Sequence, residues 1–65
     1  MEILDRYGEN GNQVFIDCVR FGPNDYEVNI WDNAVNDGWA TSMKFKTEKD
    51  AREAFANVVA YRRKH

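Results

Sequence analysis

A chain of 65 residues with 43% apolar and 31% charged side chains has the balance of one small globular domain, which argues against disorder, collagen-like repetition and membrane spanning. Such a short chain buries only roughly 60% of the surface it exposes when unfolded, so its core is thin and contact with a partner or a second copy would add to it. Nine basic against eleven acidic residues leave a net charge of −2, which offers no general attraction for phosphates or anionic lipid and sets duplex-DNA binding aside.

The single cysteine, Cys18, has no internal partner for a disulfide, and the start Met-Glu-Ile-Leu-Asp-Arg carries neither the basic start nor the apolar run of a secretory signal. A cytoplasmic protein is expected. No stretch approaches the roughly 18 continuous apolar residues of a membrane span. Charge is divided along the chain. Residues 1–38 hold eight acids against Arg6 and Arg20, a local −6, whereas residues 39–65 hold seven bases against Glu48, Asp50 and Glu53, a local +4. Attraction between the two parts across the fold is the economical reading; the other is a field presented to a partner.

Three reversals divide the first 46 residues into four extended runs. Gly8-Glu9-Asn10-Gly11-Asn12 holds an Asn-Gly step, both of whose residues tolerate positive φ, and reads as a hairpin loop. Gly22-Pro23-Asn24-Asp25 is a second reversal with φ preset by proline, and Asp32–Gly38 is a third and longer one. The runs between them are predicted as strands over about 3–7, 13–21, 26–31 and 39–46, each rich in β-branched or aromatic residues. In the last, Trp39, Thr41, Met43 and Phe45 alternate with Ala40, Ser42, Lys44 and Lys46; in the third, Tyr26, Val28 and Ile30 alternate with Glu27, Asn29 and Trp31.

From Thr47 the period lengthens to about 3.6. Thr47 and Asp50 resemble a capping box, and Ala51, Ala54, Phe55, Val58 and Val59 form one apolar stripe. A helix over about 48–63 follows, ending in Arg62, Arg63, Lys64 and His65, cations that suit the negative end of the helix dipole and read as a solvated helix end. The predicted architecture is α+β, a single domain over 1–65: a four-stranded antiparallel meander followed by one C-terminal helix packed on one face (ββββα).

The second run does not alternate cleanly. Val14, Ile16 and Cys18 are apolar on one side, and Phe15, Val19 and Phe21 on the other, around Asp17. A strand apolar on both sides normally lies between two layers, yet one helix covers only one face. Either set can lie under the helix. The aromatic set, together with Trp31, is expected outside, because Val14, Ile16 and Cys18 pack more easily beneath Phe55 and Val58. An exposed patch of this kind marks an interaction site. The alternatives are a sheet curled tightly enough to bury these aromatics in its own concavity, or the loop Asp32–Gly38 folded over them.

Catalytic constellations are not apparent in the sequence, so no catalytic residue, metal ligand or cofactor is assigned and the chain is read as a non-enzyme. His65 is the final residue, and one cysteine with one histidine makes neither a zinc site nor a nucleophile pair. Gly8, Gly11, Gly22 and Gly38 sit singly in turns and build no phosphate-cradling loop. Asp32 and Asp37 lack the spacing and closing glutamate of a calcium loop and read as turn caps. Asp17 and Glu27 meet on one face, where Lys44 and Lys46 are expected to pair with them across strands.

Two functional classes follow. The first is a small protein-interaction module, a regulator or inhibitor acting by surface occupation, whose sheet face offers Phe15, Asp17, Val19, Phe21, Trp31 and Lys44 to a protein partner or to a second copy in a homodimer. In size and meander-then-helix order it resembles several small phage-encoded inhibitors of host defence. The second is single-stranded nucleic-acid binding through the same face, with aromatics stacking bases beside Lys44, Lys46 and Arg6. The strand and helix order is similar to that of the PUR repeat, and Phe45-x-Thr47-x-x-x-Ala51-x-x-x-Phe55 resembles the strand-to-helix joint of WGR domains, although the Trp-Gly-Arg signature is missing. Asp17 and Glu27 would repel phosphates on that face, which favours the protein partner.

Overall fold

The computed structural model describes residues 1–9, 11, 13–33 and 38–64. Four strands, β1 (Glu2–Glu9), β2 (Val14–Gly22), β3 (Asp25–Asp32) and β4 (Trp39–Phe45), are followed by one helix, α1 (Glu48–Lys64). The sheet runs β1-β2-β3-β4 with every neighbouring pair antiparallel. The ββββα meander expected from the sequence is therefore the observed fold, with element boundaries differing by one or two residues.

Local chemistry sets the reversals among the described residues. Gly22 and Asp25 are register partners across Pro23-Asn24, and Asn24 takes φ 59°, so proline followed by a residue at positive φ matches the demands of a type II turn. In the first hairpin Gly11 takes φ 63°, while Asn10 and Asn12 of that loop lie outside the described residues. Beyond the β2–β3 ladder the Asn33 amide donates to the Gln13 carbonyl at 2.8 Å, which fastens the bases of the first and third reversals to each other. Residues 34–37, and with them the predicted cap Asp37, lie outside the described residues, as does His65.

Two bulges break the alternation. In β1 the register shifts between Ile3 and Asp5, so Leu4 is the extra residue, and it packs half-buried against the core. In β2 the shift falls between Arg20 and Gly22 and makes Phe21 the extra residue. Outside these points the register is regular, and it sorts the side chains of β2 and β3 cleanly between two faces.

The core lies on the face toward α1. Ile16 and Cys18 of β2, Tyr26, Val28 and Ile30 of β3, and Ala51 and Phe55 of α1 form one buried cluster, flanked by partly buried Leu4, Tyr7, Met43, Phe45, Ala54, Val58 and Val59. The whole predicted helical stripe thus faces the sheet, resting on β2, β3 and β4. Ala51 is fully buried, so the helix approaches the sheet closely at its first turns and Phe55 fills the space one turn on. Burial pushes the Cys18 thiol pKa upward, so this cysteine behaves as a small core hydrophobe.

The helix start is fixed as the sequence indicates. Thr47 Oγ1 accepts a hydrogen bond from the Asp50 amide at 3.2 Å, and Glu48 pairs with Arg52 one turn on at 2.8 Å. Thr47→Ala is expected to cost about 1 kcal/mol. In thermal unfolding followed by circular dichroism, that loss corresponds to a midpoint about 4–8 °C lower.

Candidate functional site

The candidate site is the outer face of the sheet, the side turned away from α1. Register places its side chains in three rows. In the first, Gly8, Phe15, Trp31 and Ala40 lie side by side across β1 to β4; in the second, Arg6, Asp17, Asn29 and Ser42; in the third, Ile3, Val19, Glu27 and Lys44.

The first row carries the aromatic pair. Phe15 and Trp31 are direct cross-strand neighbours on the two central strands, where ring and ring meet favourably. Gly8 and Ala40, the residues beside them on the edge strands, leave the outer flanks of the rings uncovered by large side chains. Phe15 is half-buried and Trp31 is 39% exposed. The sheet therefore does not curl enough to enclose both rings. The alternative in which the third loop folds over them concerns residues 34–37, which lie outside the described residues.

The second row is polar and internally paired. The Arg6 guanidinium grips Asp17 with two parallel hydrogen bonds, Nε to Oδ1 at 2.8 Å and Nη2 to Oδ2 at 3.0 Å. Beside it the Ser42 hydroxyl donates to Asn29 Oδ1 at 2.6 Å. Asp17 is only 6% exposed, yet both carboxylate oxygens are engaged, and no buried side-chain polar atom among the described residues lacks a partner. The expected pairing of Asp17 with Lys44 or Lys46 is thus replaced by Arg6, which the first hairpin sets directly opposite. Lys44 stands opposite Glu27 instead.

Of the residues the sequence nominated, the structure brings Phe15, Asp17, Val19, Trp31 and Lys44 onto one face. Phe15, Trp31 and Lys44 are presented to solvent, while Asp17 and Val19, at 2% exposure, are covered in the isolated chain and support the face rather than meet solvent. Phe21 is 46% exposed, but it occupies the bulge at the sheet end, where it lines an open cleft of about 330 Å³ with Met1, Glu2, Arg20 and Gly22. Sequence reading missed the flanking Gly8 and Ala40 and the Asn29–Ser42 bond. The extra residue at Phe21 moves the β2–β3 register by one from what the Gly22–Asp25 turn alone dictates, so Phe15 meets Trp31 rather than Asp32, and no alternation in the sequence reveals that shift.

The opposite, helix-side face closes with a charge cluster. Arg62 Nη2 lies 3.0 Å from Glu9 Oε1 and 3.4 Å from Asp32 Oδ2, and the Tyr7 hydroxyl donates to Glu9 Oε2 at 2.9 Å. The reading of the C-terminal cations as a wholly solvated helix end is corrected at Arg62, which ties the helix end to the ends of β1 and β3. This pairing is the attraction between acidic and basic parts that the charge division suggests. Hydrogen bonds from Arg62 and then from Tyr7 hold the Glu9 carboxyl below its ordinary value of 4.5. Among the described residues no group of three or more His, Cys, Asp or Glu side chains could hold a metal ion, and no helix is long and apolar enough to cross a membrane.

Because the folded-state pKa of Glu9 is depressed, its contribution is complete above the unfolded value and is lost as pH falls through the folded one. Wild-type urea midpoints should therefore drop on acidification below about pH 4.5. Arg62→Met should be less stable at neutral pH and show a shallower acid limb in the same titration.

Compared with protein-family models, with curated proteins and with solved structures, the chain matches none of them, so the likenesses of strand order and helix joint to PUR repeats and WGR domains are not accompanied by a match to either.

Proposed function

We propose that this chain is a small non-enzymatic protein-interaction module, a regulator or inhibitor that acts by occupying a partner's surface, and that the outer sheet face is where the partner sits. The observation that carries this reading is the Phe15–Trp31 pair, lying side by side on the two central strands and open to solvent. Aromatic anchors surrounded by a polar rim supply most of the energy at protein interfaces.

The adjoining polar row supports the same reading. Arg6 with Asp17 and Ser42 with Asn29 already satisfy one another, so a partner covering that row strands few polar groups. Both rows lie on regular strands, so little ordering is needed on contact. Single-stranded nucleic acid fits less well. Of the cations available, Arg6 is committed to Asp17 and Arg62 to Glu9 and Asp32, and Lys44 shares its row with Glu27. The buried, unpaired thiol of Cys18 suits a reducing compartment, and we place the protein in the cytosol.

Tyr61 provides an internal control, because it is 66% exposed and lies on α1, away from the outer sheet face. A protein that associates with the wild type should lose affinity at least roughly tenfold with Trp31→Glu or Phe15→Glu, and retain it with Tyr61→Glu, all three keeping their helical circular dichroism. Equal loss with all three variants would show that the face is not the contact surface. Binding of an oligothymidine that weakens steeply with salt would transfer the assignment to nucleic acid.

A further inference from the structure

The two edges of the sheet differ. β1 is interrupted by the bulge at Leu4 and carries Glu2, Asp5, Arg6 and Glu9, devices that discourage another strand from adding to it. β4 has no bulge and a single charge. Its seven residues pair with β3 in unbroken register, it contains no proline, its one charge is Lys44, and its other side has no strand beside it among the described residues. A regular edge of this kind presents a row of backbone donors and acceptors that only another extended segment satisfies.

We propose that β4 pairs antiparallel with β4 of a second copy, about a two-fold axis through Ser42, joining two four-stranded sheets into one of eight strands. The strand's own sequence selects this partner. Centring on Ser42 is the one antiparallel register that aligns all seven residues. It sets Trp39 opposite the partner's Phe45 and Thr41 opposite the partner's Met43 on the helix side, and Ala40 opposite the partner's Lys44 on the outer side. Two aromatic cross-strand contacts form, and the lone positive charge meets alanine, never its own copy. Helix-side residues meet helix-side residues, so the register carries both apolar faces and both outer faces across the junction unchanged. Trp39, half-exposed in the isolated chain, gains cover in a domain whose core is thin for its length. A two-fold axis makes such a contact closed, so it stops at a dimer. Edge pairing uses β4 and leaves the outer-face contacts of Phe15 and Trp31 unoccupied, so it stands independently of the function proposed above.

Ala40 is exposed, and charges of opposite sign placed there test the register. The wild type should sediment as a monomer–dimer equilibrium between micromolar and about millimolar concentration. Ala40→Glu, facing the partner's Lys44 twice, should tighten dimerisation roughly two- to thirtyfold, and Ala40→Lys should weaken it by a similar factor, with circular dichroism unchanged in both. A purely structural effect at this site would move both variants in the same direction. A wild type that stays monomeric throughout the range overturns the proposal and leaves the edge to an extended segment of another protein. A dimer whose strength is the same with Ala40→Glu and Ala40→Lys overturns it as well, placing the contact elsewhere on the molecule.

Discussion

The packing of Ala51 and Phe55 onto Ile16, Cys18 and Val28 is the contact on which the structure depends. One amphipathic helix shelters one side of a four-stranded sheet, and nothing else among the described residues forms a second layer. Every other feature of the molecule responds to that shortage. On the sheltered side, small and branched residues lie beneath the helix and the aromatic Phe55 descends between them. On the other side the chain must make a stable surface from the sheet alone. It does so with the bidentate Arg6–Asp17 pair, the Asn29–Ser42 bond and two adjacent rings, each stabilised by a neighbour across the ladder.

Much of this was legible in the sequence wherever one face was dry and the other wet. The alternation in Trp39–Phe45 and in Tyr26–Trp31, and the stripe from Ala51 to Val59, follow from burial against a single layer, and the structure reproduces each of them. The doubly apolar pattern of β2 also carried information, since it marked a central strand, but it left either set able to lie under the helix, and only side-chain size favoured the aromatic set outside. What the pattern could not convey is displacement by a single extra residue. The bulges at Leu4 and Phe21 each shift the register by one, which moves Leu4 toward the core and takes Phe21 off the regular rows.

Charge partners were the least legible part, because Coulomb attraction leaves no period in a sequence. Proximity to the same face suggested Lys44 for Asp17, but a guanidinium directly opposite across a hairpin offers two parallel hydrogen bonds, whereas an ammonium acts as a point charge. Likewise Arg62 looked like one of several terminal cations. Its distinction is purely geometric: α1 ends above the place where β1 and β3 bring Glu9 and Asp32 together.

That last arrangement also orders events in time. Glu9 precedes Arg62 by 53 residues and Asp32 precedes it by 30, so the two carboxylates leave the ribosome well before the cation that reconciles them. Local turns and the helix form quickly, while contacts of long sequence separation wait on loop closure. Until the last turn of α1 docks, the sheet carries the mutual repulsion of Glu9 and Asp32 at one corner, and Arg62 relieves it, so the corner closes only when helix and sheet are brought together.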